Sequence, residues 1–400
     1  MLDAMTRNSL PLLVFADDWG RHPSSCQHLV SQLLDRHPVL WVNTIGTRKP
    51  SFNLATLQRG AEKIRHWLST PHPSEPLPGN LRVVNPLMWP SFSSAFGRWL
   101  NRGLMARQLA ARIADLPERP VAVTTLPVVA DLIGVLPVRR WVYYCVDDFS
   151  EWPGLDGETL RRMEAKLVGK ADSLIAVSTT LREKLARMGR DSHLLTHGVD
   201  LDFWRNAPAG ASLSSLAGLE RPLVIFWGVV DRRMDTDFVR KLDGAMTRGT
   251  IVLAGPQADP DPVLTALPRV VRLGPLPYAQ LSNLAREAAV LIMPYADLPV
   301  TRAMQPLKLK EYLATGKPVV VRDLPATRCW SDCLDLADTP ASFADAVLRR
   351  LEEGLTQVQR TARESLAGES WAEKALEFER CVIRPQAIHQ PQLAHEGSVS

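Results

Sequence analysis

The sequence predicts an α/β protein with two Rossmann-like, doubly wound domains that face a cleft. At 400 residues the chain exceeds one ordinary domain of roughly 100–200 residues. Short β-branched or aromatic runs alternate with helical segments along most of it. Several of these runs are apolar throughout, as expected for parallel sheets that are covered by helices on both faces.

The first half contains six strand-like runs that are separated by helical segments. The predicted strands are 12–16, 39–42, 81–84, 121–125, 141–145 and 173–177, and the helices between them include 24–36, 94–114, 157–170 and 178–188. The second half repeats the rhythm, with strands at 223–228, 250–254, 270–273, 289–294 and 318–322. This repetition predicts two domains of similar architecture.

The segment between the halves is rich in Ala, Gly and Ser, a composition typical of linkers. The last apolar helical pattern contains Trp371 and Phe378 and is expected to pack back on the first domain. The predicted units are 1–205 (first domain), 206–221 (linker), 222–369 (second domain), 370–383 (final helix) and 384–400 (flexible tail).

Several classes of protein are disfavoured by the composition. The longest apolar runs, 10–16 and 224–230, are far shorter than the ~18–20 residues that span a bilayer. The N-terminus does not resemble a signal peptide, and five cysteines without a CxxC pair favour a reducing, cytoplasmic location. No GxGxxG follows a strand and no GxxxxGK[ST] occurs, which argues against dinucleotide enzymes and P-loop ATPases.

Positive charge is concentrated in one segment, although the whole chain carries only +4. Residues 44–112 contain ten Lys or Arg against two acids, a balance of +8, so the remainder carries −4. Such asymmetry predicts an anionic partner. Nucleic acid is disfavoured because no RRM, KH or helix-turn-helix signature accompanies the charge.

An aromatic stripe lies inside this basic segment. Phe92, Phe96 and Trp99 share one face of a predicted helix, beside Arg98 and Arg102. The stripe either packs on the sheet, as most amphipathic helices do, or contacts the interface of an anionic membrane. Because charge and tryptophan coincide, we expect a peripheral membrane contact.

The segment 293–325 combines a buried strand, a polar loop and a helix that opens near Pro306. A helix start at a strand end directs its amide hydrogens at the cleft and favours a phosphate. Lys308 adds a positive charge suited to a diphosphate, and Glu311 one turn later can accept from ribose hydroxyls. The alternative is that this segment forms an ordinary amphipathic helix whose Lys and Glu side chains are solvated.

Other donor-site candidates also follow strands. Gly228 permits close backbone approach to a phosphate, and Arg232 or Arg233 can supply charge. Tyr278 and Tyr295 could stack near a nucleotide base or could pack against other side chains of the protein. No metal site or other cofactor is predicted.

Five motifs, taken in order, resemble those of the GT-B glycosyltransferases, most of all bacterial cell-envelope members such as teichuronic-acid, xanthan-type and other exopolysaccharide enzymes. They are YYCVDDFS (143–150), ADSLIAVSTTLREKL (171–185), HGVDLDFW (197–204), LGPLPYAQL (273–281) and PLKLKEYLATGKPVV (306–320). The resemblance implies two Rossmann-like domains that close over a nucleotide sugar.

By this resemblance Glu311 matches the family's ribose-binding glutamate. The common pattern has another glutamate eight residues earlier, where this chain has Ala303. That departure favours the subgroup with a PLKxxEY loop, in which Lys308 faces the diphosphate, and it favours inversion.

The first domain is expected to supply the base and the acceptor contacts. Asp147 or Asp148, directly after a strand, could deprotonate an acceptor hydroxyl or bind the sugar, or the pair could cap the next turn. The loop after the first strand is a customary acceptor site in this fold, and its candidates are Asp17, Asp18, Trp19, Arg21 and His22.

The sequence therefore predicts a metal-independent glycosyltransferase at the inner face of the cytoplasmic membrane. Its donor would be a nucleotide-diphospho-sugar, and its acceptor an envelope or exopolysaccharide intermediate that could be lipid-linked. The alternatives are a nucleotide-sugar epimerase of the same fold and a non-catalytic membrane-binding scaffold.

Overall fold

The computed structural model describes residues 9–20, 24–43, 77–206 and 213–383, which form two α/β domains with one large parallel sheet each. The predicted tail, 384–400, and residues 207–212 of the predicted linker lie outside these ranges.

The first sheet has seven strands in the order β3-β2-β1-β4-β5-β6-β7, and all of its pairings are parallel. Its strands are β1 (Leu12–Ala16), β2 (Val39–Asn43), β3 (Leu81–Val84), β4 (Val121–Thr124), β5 (Arg140–Cys145), β6 (Ser173–Ala176) and β7 (His193–Leu194). The strand order reverses between β1 and β4, and such switch points are where open α/β sheets bind ligands.

Helices cover both faces of this sheet. They are α1 (Ser25–Ser31), α2 (Ala95–Ala114), α3 (Gly157–Lys170) and α4 (Thr179–Arg187), with a 3-10 helix at Pro127–Leu132. Ser24, Ser94, Asp156 and Ser178 cap their first turns by accepting backbone hydrogen bonds, as these residue types favour. The first helix ends at Ser31, earlier than the apolar pattern predicts.

The second sheet has six parallel strands in the order β12-β10-β8-β13-β14-β15, beside a small β11-β9 pair. Its strands are β8 (Leu223–Trp227), β9 (Val230–Asp231), β10 (Thr250–Ala254), β11 (Gln257–Ala258), β12 (Val270–Leu273), β13 (Ala288–Met293), β14 (Val319–Arg322) and β15 (Asp335–Ala337). Its helices are α5 (Leu201–Asn206), α6 (Thr236–Ala245), α7 (Val263–Ala266), α8 (Tyr278–Glu287), α9 (Pro299–Ala303), α10 (Leu307–Ala314), α11 (Pro325–Arg328), α12 (Pro340–Glu353) and α13 (Gln357–Ala362), with 3-10 turns at Ser214–Leu216, Ser331–Cys333 and Arg363–Glu369. The order reverses between β8 and β13, so the loops after these two strands border a second switch point.

The chain crosses between the domains twice, and the two crossings lie side by side. Going forward, Val199 and Trp204 already pack in the second core. Returning, helix α14 (Trp371–Ile383) packs in the first core, as predicted. The Val199 amide donates to the Glu369 carbonyl at 2.8 Å, and the Trp371 amide donates to the Val199 carbonyl at 3.3 Å.

The predicted aromatic stripe is only partly correct. Phe92 precedes α2, because Ser94 caps the helix, and its side chain is buried. Phe96 and Trp99 are 65% and 64% exposed, and their rings stack at 5.9 Å. Within the described ranges, no helix is both long enough and apolar enough to cross a membrane.

Candidate active site

The loops at the carboxyl ends of the two sheets contact one another. The Arg233 guanidinium, beyond β8, lies 4.3 Å from the centre of the Trp152 ring, beyond β5. The Ser178 hydroxyl, at the start of α4, donates to the Ala303 carbonyl at 2.6 Å. The strand-end loops of the two sheets therefore meet between the domains, at the edges where ligands of such sheets bind.

Tyr312 fixes helix α10 against the end of β8. Its buried hydroxyl accepts from the Trp227 amide at 2.9 Å and donates to the Trp227 carbonyl at 3.1 Å. One residue earlier, Glu311 accepts from the Trp227 indole at 3.3 Å. These bonds hold the helix start, and with it Lys308, beside the strand-end loop.

Gly228 lies directly under the Lys308 side chain. Its φ of 152° is unfavourable for other residues, and a Cβ there would come within 2.9 Å of the Lys308 Cε. Gly255, at the end of β10, packs on it so closely that a Cβ would lie 2.0 Å from the Gly228 carbonyl oxygen. The sequence reasoning missed Gly255, although a glycine directly after a buried strand is the same signal that marked Gly228.

Lys308 carries its positive charge beside Glu311. The residue is half-buried, and its ammonium makes no hydrogen bond or ion pair with another described residue, though it interacts electrostatically with Glu311. Burial raises the pKa of Glu311, while Lys308 and the Trp227 indole oppose that rise. A paired positive and negative group at this spacing suits a ligand with phosphates and hydroxyls.

The two tyrosine candidates belong to the packing around this site. Tyr278 stacks on Phe203 with ring centres 4.7 Å apart, and burial raises the pKa of its hydroxyl. Tyr295 is 5% exposed and packs edge-on to Phe226. Each ring therefore has an aromatic protein neighbour.

The adjacent arginines have different environments. Arg232 is exposed and pairs with Asp259 at 3.0 Å. Arg233 is 7% exposed and forms a bidentate ion pair with Asp231, with a shortest distance of 2.7 Å. Of the two, Arg233 contacts the first domain.

Asp148 takes part in a network of buried charges. Its carboxylate accepts from Lys184 at 2.8 Å and from the Ser150 hydroxyl at 2.6 Å. Lys184 also binds Glu164 at 2.5 Å, and Glu164 accepts from the Tyr143 hydroxyl at 2.8 Å. Burial favours a raised pKa for Asp148, but the bonds from Lys184 and Ser150 outweigh it and hold this pKa below its usual value.

Asp147 has the opposite electrostatic setting. Burial raises its pKa to about 7, with a further contribution from the Asp148 charge, while the Arg233 cation works against the rise. A carboxyl group with a pKa near neutrality can both accept and release a proton at physiological pH. Of the two neighbours, Asp147 is the one with a raised pKa.

The predicted acceptor loop is held by side-chain hydrogen bonds. Asp17 accepts from the Ser24 hydroxyl at 3.0 Å. The Trp19 amide donates to Asn43 at 3.0 Å, and its ring meets Trp41 edge-on at 4.8 Å. Asp18, which lies between these two residues, is half-buried. The other two candidates, Arg21 and His22, lie outside the described residues.

His28, which the sequence indicates to be an ordinary helix residue, is a neighbour of the site. It stacks on Trp371 at 4.5 Å, and its ring lies 6.3 Å from Tyr278 of the second domain. Burial lowers its pKa to about 4, although Asp200 opposes this, so the imidazole is neutral at pH 7. No motif marks a lone histidine on an amphipathic helix, and its neighbours come from distant segments.

The described residues contain no group of three or more His, Cys, Asp or Glu side chains arranged to hold a metal ion. Among these residues, the strand ends carry an ammonium that makes no hydrogen bond, a carboxyl group with a raised pKa, and two closely packed glycines.

Residues 210–353 match the family model "Glycosyl transferases group 1". Over 93% of its length the chain superposes on 98% of a sucrose-phosphate synthase from Thermosynechococcus elongatus, with a TM-score of 0.68 and 15% identity. Similar agreement is found with Anabaena HepE in complex with UDP and glucose, at a TM-score of 0.64 and 14% identity over 93% of this chain and 98% of that one.

The chain therefore has the two-domain fold of these GT-B structures, and its residues 210–353 resemble a glycosyl transferases group 1 domain. It is also similar to TuaH of Bacillus subtilis (strain 168), named as a teichuronic acid biosynthesis glycosyltransferase, with 28% identity over 178 residues. That match covers 42% of this chain and 45% of TuaH, less than half of the relative's length. The group 1 domain contains Gly228, Lys308 and Glu311.

Proposed function

We propose that this GT-B protein is a glycosyltransferase that takes its sugar from a nucleotide-diphospho-sugar. The observation that carries the proposal is Lys308, whose ammonium makes no ion pair within the part of the chain that the structure describes and lies over Gly228 and beside Glu311. The diphosphate would bind Lys308 and the nearby amides, and the ribose would bind Glu311. HepE, whose structure is named as a complex with UDP and glucose, has the same fold.

Departure of the nucleotide diphosphate requires stabilisation of negative charge. We propose that Lys308 and the amides at the start of α10 supply it, so that no metal ion is needed. The acceptor we favour is an envelope or exopolysaccharide intermediate, which could be lipid-linked; the similarity to TuaH supports this class.

We assign the general base to Asp147, which would remove the proton from the acceptor hydroxyl as it attacks the anomeric carbon. Its pKa of about 7 suits this task, whereas Asp148 is engaged by Lys184. Position 303 offers no carboxylate: Ala303 is buried, and its carbonyl accepts from Ser178. Together these features favour direct displacement with inversion.

The donor site is tested by calorimetry against UDP-, GDP-, CMP- and dTDP-sugars, with Lys308→Ala compared with wild type. Loss of a charge-assisted contact should weaken donor binding by about tenfold to a hundredfold. The matched control is Lys241→Ala, an exposed lysine on α6 of the same domain. Unchanged affinity in Lys308→Ala would exclude this site, and sugar release or isomerisation without an acceptor would favour the epimerase.

We further propose that the outer side of α2 contacts an anionic membrane. Residues 77–114 contain five arginines and no acid. Beside the exposed Phe96 and Trp99, Leu87 and Trp89 are 58% and 47% exposed, and a groove of about 570 Å³ adjoins Trp99. Aromatic side chains with flanking arginines suit the lipid interface.

Co-sedimentation with vesicles tests this surface. Phe96→Ser/Trp99→Ser should reduce binding to phosphatidylglycerol vesicles, while wild type should bind phosphatidylcholine vesicles weakly. Val358→Ser is the control, because Val358 is 74% exposed in the second domain. Equal binding by the double variant and wild type would refute the contact.

A further inference from the structure

Lys310 lies two residues from Lys308 on α10 but has a different environment. Its side chain is 2% exposed, whereas the Lys308 side chain is half-buried. Residues three apart on a helix share a face, as Lys308 and Glu311 do, and a residue two positions away points elsewhere. The helix therefore presents one lysine to the proposed donor site and another to the protein interior.

The Lys310 ammonium binds both chain crossings between the domains. On the outgoing crossing it donates to the His197 carbonyl and to the Thr196 hydroxyl, the latter at 3.2 Å. On the returning crossing it forms an ion pair with Glu369. These two segments are themselves joined by the backbone bond from Val199 to Glu369.

The buried charge of Lys310 makes its contacts with the two crossings costly to break. Burial lowers the pKa of Lys310 to about 8, and the Glu369 carboxylate opposes that shift, so the ammonium remains charged at neutral pH. Glu369 also pairs with Lys374 of α14 at 3.0 Å. A buried ammonium that moved away from its acceptors would be left unpaired, which is strongly unfavourable. Helix α10 therefore cannot shift freely relative to the crossings.

We propose that Lys310 is a positioning residue that ties the donor-binding helix to the junction of the two domains. Through it, the location of Lys308 and Glu311 depends on the arrangement of the crossings, and a ligand held by Lys308 acts on the domain junction in return. The link to donor binding rests on the proposed function, whereas the mechanical link between α10 and the crossings does not.

Hydrogen–deuterium exchange of the full-length protein without ligand tests the mechanical link. Lys310→Met should accelerate exchange of the α10 amides and of the Val199 and Trp371 amides. Lys374→Met is the matched control: it removes the other lysine that pairs with Glu369, yet leaves Lys310 in contact with both crossings. The control should leave α10 at the wild-type rate.

Unchanged α10 exchange in Lys310→Met, or equal acceleration in both variants, would overturn the proposal. Should Lys310→Met not fold, Glu369→Gln provides the same test, because it removes the ion pair while Lys310 keeps its bond to His197. It should accelerate exchange in the same amides by a smaller factor, and wild-type exchange there would equally refute the role.

Calorimetry tests the link between Lys310 and donor binding. Lys310→Met should weaken donor binding by about fivefold or more, the range of ordinary coupling between sites, with a smaller change in Lys374→Met. Wild-type protein that binds no nucleotide sugar would contradict the proposed function while the exchange result stands. Donor binding by wild type with equal affinity in Lys310→Met would contradict the coupling alone.

Discussion

The loop after β5 and helix α10 each carry two like charges that are close in sequence, and in each region one charge is paired internally. In the loop, Asp148 pairs with Lys184, while Asp147 has a pKa of about 7. In the helix, Lys310 pairs with Glu369, while Lys308 has no ion pair among the described residues. We expect the internally paired member of each region to stabilise the fold, and we assign its neighbour the role in the proposed reaction.

Asp147 and Lys308 lie in different environments. Burial and the Asp148 carboxylate disfavour the ionised form of Asp147, which suits a group that must accept a proton. Lys308 lies beside Glu311 but makes no hydrogen bond to any described residue, which suits a group that binds an anion. The comparison predicts a base in the first domain and a charge-stabilising site in the second.

The largest expected effect follows removal of the base. Asp147→Asn should lower kcat by about 10²- to 10⁴-fold, the usual contribution of general-base catalysis, with donor affinity nearly unchanged. Steady-state kinetics and calorimetry measure the two quantities. A larger loss of kcat in Asp148→Asn than in Asp147→Asn would reverse the assignment of the pair.

The internally paired group should instead control stability. Lys184→Met leaves Asp148 and Glu164 without their cation, and the Glu164 side chain is 3% exposed. The free energy of unfolding should fall by about 3 kcal/mol or more in urea titrations. In the control Lys166→Met, the lysine side chain is 44% exposed beside Asp131, so the loss should be about 0–1 kcal/mol. Equal losses would show that the network is not stabilising.

The smallest effect concerns pH. Because catalysis needs ionised Asp147, kcat/KM should rise as pH increases through about 7. Arg233 lowers the pKa of Asp147, so Arg233→Met should move the midpoint upward by about one unit. Arg240→Met, which removes an exposed arginine on α6, is the control and should leave the profile unchanged. A downward shift in Arg233→Met would contradict the contact between the domains.

The sequence by itself determined the architecture. Apolar runs that alternate with helical segments predict two parallel sheets, because only helices on both faces can bury such strands. The strand-end rule then indicated Asp147 and Asp148 without choosing between them, together with Gly228, and the following helix start indicated Lys308 and Glu311. The structure brings Gly228, Lys308 and Glu311 together at the end of β8. The return of the last helix to the first domain was also predictable from its apolar face.

Only the tertiary structure decided which of the two neighbouring like charges in each region forms an ion pair. Lys184 lies 36 residues after Asp148, and Glu369 lies 59 residues after Lys310, so local patterns carry no signal for either ion pair. The same holds for His28 on Trp371 and for Arg233 over Trp152. Such contacts arise from the folding of distant segments, and the cost of burying an unpaired charge then determines which residue is neutralised and which remains available.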